Sequence, residues 1–187
     1  MKKTKNLLIA FAIVATVSTF LSFVDSERKS ESTAKIDQMV ADWERAKNYT
    51  KAYLDASTDE VINFKPTAET RTFGQQMLHL AEANYGMSSV ATGKTNPINW
   101  GDLEKSDKYN TKAALTKAVM DSYDFVIAGA KEMNEQKMTE QVKLFEKFDM
   151  SREVAMNKVF EHQTHHRGQT TIYLRLKGIK PPQEMLF

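Results

Sequence analysis

The sequence predicts an all-α fold, a four-helix bundle behind a separate N-terminal segment. Three observations lead there. Only 7 Gly and 4 Pro occur in 187 residues, and helix-favouring Ala, Glu, Lys, Met and Gln are common. Four stretches carry apolar residues at helical spacing and are bounded by capping residues. No stretch shows a convincing β-rich pattern, so the helices must bury their apolar faces against one another. Hydrophobic residues at 41% and charged residues at 27% fit an ordinary globular chain of one domain.

Residues 1–24 form a separate unit. Lys2, Lys3 and Lys5 precede an almost wholly apolar run from Leu7 to Val24, the layout of an export signal. The run approaches the length that crosses a bilayer, so a retained N-terminal anchor is the alternative. Either reading sends the rest of the chain out of the cytoplasm, to the periplasm or cell envelope, with membrane contact only if the segment is kept. Without its three lysines, 23 basic residues face 24 acidic ones, and the formal charge falls from +2 to −1. The basic balance is therefore no sign of a nucleic-acid partner. With no Cys, disulfides, thiolate-bound zinc, iron–sulfur clusters and covalent haem are excluded. Residues 25–33 are polar and aperiodic and read as a linker. The domain is expected at 34–182, with a short tail at 183–187.

The first helix is expected from Ala34 to Ala56, with Ile36, Val40, Trp43, Lys47 and Thr50 on one face, widened by Met39, Ala46, Tyr49 and Tyr53. The second runs from Thr72 to Thr92. Thr72 and Gln75 have capping-box spacing, and Gly93 is the stop. Phe73, Met77, Leu80 and Met87 mark its buried stripe. After a long connection, Asn110 or Thr111 caps a third helix bearing Leu115, Val119, Ser122, Val126 and Met133. Glu135 to Met150 is ambiguous, with Val142, Leu144, Phe145 and Phe148 in a strand-like loop packed on the bundle. Ser151 caps the fourth helix, which ends at Arg175 and Lys177 before Gly178, Pro181 and Pro182.

Chemistry concentrates in the histidines. Of four, three fall in the run Glu161-His162-Gln163-Thr164-His165-His166-Arg167-Gly168-Gln169. His162 and His166 are four apart and share a helix face with Ala155, Val159 and Tyr173, whereas His165 is turned about 100° away. Two imidazoles so placed hold one metal, and His79 in the second helix supplies a third ligand across the core. Three neutral imidazoles leave positions open for water or substrate. The same spacing also suits a solvated pair or hydrogen-bonded core histidines. Gln75, Glu82, His165 and Gln169 lie within about a turn of the ligands and are candidate orienting partners, with capping or solvent exposure the alternative. Arg167 reads as a surface or helix-packing residue.

Two common variants fail on identity. The helical zinc-protease motif needs Glu after the first His, and Gln163 stands there. A di-iron carboxylate bundle needs Glu three residues before His, where this chain has Gln76, Val159, His162 and Gln163. There is no Ser/His/Asp arrangement and no phosphate-binding Gly-rich loop.

Phe64-Lys65-Pro66, with Arg71-Thr72-Phe73-Gly74-Gln75-Gln76-Met77-Leu78-His79-Leu80-Ala81-Glu82-Ala83-Asn84, resembles the second-helix signature of the DinB-like metalloenzyme family. His162-Gln163-Thr164-His165-His166-Arg167-Gly168-Gln169, followed by Leu174 and Gly178, resembles its last-helix signature. The likeness spans residues 34 to 182. It implies a bundle with one divalent metal on His79, His162 and His166, with His165 a neighbour. Zn or Ni is expected first, Fe or Mn next. It also implies a homodimer and a small-molecule substrate, for a metal-dependent transferase or hydrolase. Some relatives transfer cytoplasmic thiol cofactors, and the export segment sets this chain apart from them. A metal- or ligand-binding envelope protein without turnover is the alternative.

Overall fold

The computed structural model describes residue 31 and residues 33–187. The segment at 1–24 lies outside them, and among the described residues no helix is long and apolar enough to cross a membrane. Residues 33–56 form α1. Glu31 and Thr33 are already helical, so the helix starts inside the stretch expected as linker. After it come α2 (Asp59–Ile62), α3 (Phe73–Thr92), a 3-10 turn (Asp107–Tyr109) and α4 (Lys112–Lys131). The chain ends with α5 (Glu135–Thr139), β1 (Gln141–Leu144), β2 (Phe148–Ser151) and α6 (Arg152–Leu176).

The expected caps set the boundaries. Thr72 and Gln75 form the full capping box of α3, and Gly93 closes it at φ 79°, a conformation that glycine adopts without steric cost. Thr111 rather than Asn110 caps α4, and Ser151 caps α6. The ambiguous stretch is a short helix and an antiparallel hairpin pairing Leu144 with Phe148. Leu144 packs into the core, but Phe145 and Phe148 are about half exposed, at 55% and 49%. The turn places Phe145 and Glu146 at φ 53° and 56°, which carries Phe145 to the hairpin tip instead of onto the bundle.

Side-chain pairs between helices give the topology. Thr50 meets Tyr123 and Glu44 meets Lys131, so α1 and α4 are antiparallel. Trp43 packs on Phe160 and Tyr53 bonds Thr171, so α1 and α6 are parallel. Asn84 bonds Ser122, and Gly129 lies against Thr92, so α3 and α4 are parallel. Parallel neighbours cannot be joined by a tight turn, because the chain must return along the bundle before starting the second helix. Residues 93–111 make that return, running back along α3.

The core is one cluster around Trp43, Tyr123, Phe73, Met77, Leu80, Leu115, Met156 and Leu174. The register of α3 against α6 is pinned at both ends. Arg152 Nη1 donates to the carbonyls of Val90 and Ala91 at 2.8 and 3.3 Å, satisfying the open end of α3. At the other end the Tyr173 hydroxyl donates to the Arg71 carbonyl at 2.8 Å. Between these two ties the histidines of the two helices meet.

Candidate metal centre

His79 sits in the first half of α3, facing His162 and His166 on α6. Ring centroids are 5.3 Å apart for His79–His162, 4.6 Å for His79–His166 and 4.4 Å for His162–His166. One ring nitrogen from each lies within 4.8 Å of the others, so the three could hold a metal ion. His166 is buried, while His79 and His162 are half-buried.

Burial comes first among the causes that push these imidazoles toward neutrality. His166 is lowered to about 3 and His162 to about 4, with further lowering by the neighbouring histidines and Arg71. His79 is lowered by burial and by Arg71, with Glu104 acting the other way. At neutral pH all three rings are therefore uncharged and keep a lone pair, the state in which imidazole binds a metal. Close packing of three rings would otherwise carry a repulsive cost.

Hydrogen bonds orient the rings. Gln76 Oε1 lies 2.8 Å from His166 Nδ1. An amide oxygen only accepts, so the proton of His166 sits on Nδ1 and Nε2 is free. His79 Nδ1 faces Glu104 Oε2 at 3.3 Å, with Arg71 Nη2 at 3.4 Å. His162 Nδ1 is buried with no hydrogen-bond partner. A polar atom buried and unpaired in a native fold calls for an explanation such as an ion or a ligand. The donor set thus fits a divalent metal: three neutral imidazoles, two already oriented and one with a nitrogen left unbonded.

Of the candidate orienting residues, none bonds a ring of this trio. Gln75 closes the capping box, its Oε1 accepting from Thr72 N at 2.9 Å. Glu82 is buried and accepts from the backbone N–H of Leu103 and Glu104, both at 2.8 Å. Gln169 bonds His165 at 2.9 Å on the exposed side of α6. His165 is exposed, and only its ring edge approaches His166, with centroids 4.9 Å apart. The residues that come up to ring nitrogens of the trio are Gln76, Glu104 and Arg71. Gln76, three residues before His79, is within reach of helical-spacing arguments. Glu104 comes from the long connection, and no local pattern points to it.

The DinB family model matches residues 30–185, nearly the whole described chain. The uncharacterized protein YrdA of Bacillus subtilis is 23% identical over 153 residues, covering 79% of this chain and 86% of that protein. Among solved structures, a DinB-like protein from Bacillus cereus superposes with TM-score 0.64 at 18% identity, covering 79% of this chain and 96% of that one. The DinB-like protein YjoA of B. subtilis gives 0.61 at 16%, covering 80% and 96%. A conserved protein from Enterococcus faecalis gives 0.60 at 13%, covering 75% and 95%. At these identities the structural likeness speaks for the fold.

Proposed function

The chain belongs to the DinB family, and on that premise we propose that it binds one divalent metal through His79, His162 and His166 as an exported, metal-dependent enzyme acting on a small molecule. The observation that carries the reading is the convergence of three imidazoles from two helices, one of them with a buried nitrogen left unbonded. Zn or Ni suits this donor set first, Fe or Mn next. When bound, the ion would supply Lewis acidity, drawing the pKa of a coordinated water or thiol toward neutrality or polarising a substrate oxygen.

The chain's own residues supply the rest. Gln76 holds His166 in one tautomer, and burial lowers the pKa of all three imidazoles, favouring the uncharged form. The half-buried His79 and His162 leave an approach for a small ligand, and the balance of 23 basic against 24 acidic residues beyond residue 24 gives no reason to expect nucleic acid. Export follows from Lys2, Lys3, Lys5 and the apolar run to Val24. A homodimer is the assembly expected of the family.

A second reading, metal or ligand capture without turnover, has an observation of its own. Both carboxylates beside the cluster are engaged, Glu82 by two backbone N–H groups and Glu104 by Arg71. Neither is free to act as a general base.

Elemental analysis of the purified protein and of His79→Ala, His162→Ala and His166→Ala tests the site. One equivalent of metal in the parent and a large loss in each variant is expected. Unchanged metal content in all three variants would sink the proposal. Turnover against a panel of small electrophiles and esters, lost in the variants while helicity persists, would separate enzyme from capture protein. Cell fractionation checks the export reading.

A further inference from the structure

The return connection between the parallel helices α3 and α4 passes over the histidine cluster, and its contacts there form a chain. Glu82, only 3% exposed, uses one carboxylate oxygen to accept from the backbone N–H of Leu103 and of Glu104. Burying a carboxylate is costly unless it is hydrogen-bonded, and here the bonds it gains fix the peptide that carries Glu104. Arg71 Nε donates to Glu104 Oε1 at 2.6 Å and Nη2 to Oε2 at 3.4 Å. The backbone of Arg71 is itself held by the Tyr173 hydroxyl. Glu104 Oε2 then stands 3.3 Å from His79 Nδ1.

We infer that Glu104 is a positioning residue of the metal centre: it accepts the Nδ1 proton of His79, fixes that ring's tautomer and leaves Nε2 as the ligand atom. The inference rests on the three-histidine reading. Arg71 Nη2 also approaches Nδ1, at 3.4 Å. The guanidinium N–H calls for a lone pair on Nδ1 and the carboxylate for a proton there, so the two neighbours favour opposite tautomers. Only the second leaves Nε2 able to bind an ion, and Glu104 is the nearer of the two, so the proton is assigned to Nδ1. A carboxylate on the far nitrogen of a ligating imidazole raises its basicity and holds its plane. His79 thus receives from the connection what His166 receives from Gln76.

His79, Glu82 and Glu104 also have ligand atoms within 4.8 Å of one another, which raises a second ion as a rival. The charges oppose it. Glu82 Oε1 is taken by two N–H groups, and the Arg71 guanidinium already neutralises Glu104 and would face any ion placed there. One ion, served by Glu104 through His79, is the arrangement these contacts favour.

The test uses the full chain with Glu104→Ala, Glu104→Gln and His79→Ala. Zinc affinity is measured by competition with a chromophoric chelator, the absorption spectrum with Co(II) in place of zinc, and melting after chelation. Expected for Glu104→Ala is zinc affinity weaker by about 10- to 100-fold, with shifted Co(II) bands and metal-free melting close to the parent's. Glu104→Gln, which keeps an accepting oxygen, should recover most of the affinity. Parent-like affinity and spectrum in Glu104→Ala would overturn the inference. So would a loss matched by lower metal-free melting that Glu104→Gln does not rescue, and so would two zinc ions per parent chain. If His79→Ala binds zinc as the parent does, the histidine reading itself has failed, and that variant shows it independently of Glu104.

Discussion

Helix α6 carries two polar stripes one residue apart, and they end in opposite states. Gln163 and Arg167 turn toward α1 and α4. The Gln163 side-chain oxygen receives the Tyr123 hydroxyl at 2.9 Å and Arg167 Nη1 at 2.8 Å, and its amide nitrogen donates to Thr164 at 2.7 Å. Thr50 meets the Tyr123 hydroxyl at 2.7 Å, and the Arg167 guanidinium lies 4.3 Å over the Tyr49 ring. His162 and His166 turn toward α3, where His162 Nδ1 is buried without a hydrogen-bond partner. The first stripe is a closed knot: every group has a protein partner, so it rigidifies the core and has no capacity for a ligand. The second is open, and an open set of donors at a solvent-reaching position is what a ligand site requires. Histidines and buried polar residues are therefore separated here by satisfaction, not by burial.

The sharpest way to break the comparison is at the closed knot. Arg167→Ala removes a charged hydrogen bond and a cation over an aromatic ring, and it takes from the Gln163 oxygen one of its two donors. The expected cost is about 3 kcal/mol of stability, measured by urea unfolding of the metal-free protein, while the folded fraction keeps its zinc affinity. Next is zinc itself. At free zinc about 100-fold above Kd the parent should gain about 2.7 kcal/mol, and His162→Ala should lose that gain while its metal-free stability barely moves. A gain that survives in His162→Ala would mean that the open stripe is not the zinc site.

The division between the two stripes was only half legible in the sequence. The i,i+4 spacing of His162 and His166 and the pairing with His79 follow from helical periodicity, and the caps Thr72, Thr111 and Ser151 fixed where each helix begins. Local spacing places a residue on a face, but does not tell what stands opposite. Gln75, His165 and Gln169 were close in sequence to the ligands, yet they cap a helix or face solvent. Arg167 did prove to be a helix-packing residue, although nothing local showed the buried ring under it. Glu104 was out of reach for a different reason. It lies 25 residues beyond His79, in a connection whose path depends on α3 and α4 being parallel, and the order of helices around the bundle leaves no periodic mark.

Two smaller effects sharpen the contrast. Tyr123→Phe removes the hydroxyl that links Thr50 to Gln163, taking from Thr50 its side-chain partner and from the Gln163 oxygen one of its two donors. It should cost about 2 kcal/mol in unfolding experiments with no change in zinc binding. The smallest effect belongs to His165, and it is the most discriminating. His165 is adjacent in sequence to a proposed ligand and could substitute for one if α6 rotated slightly. Its ring instead stands edge-on to His166 and shares a surface bond with Gln169. Exposed, with both groups able to return to water, that pair contributes little. His165→Ala should therefore leave zinc affinity within about threefold of the parent, a change of under 1 kcal/mol, against the near-complete loss in His162→Ala. Comparable losses in the two variants would mean that the helix presents a different face to the ion from the one drawn here, and the division of α6 into a closed and an open stripe would have to be redrawn by one residue.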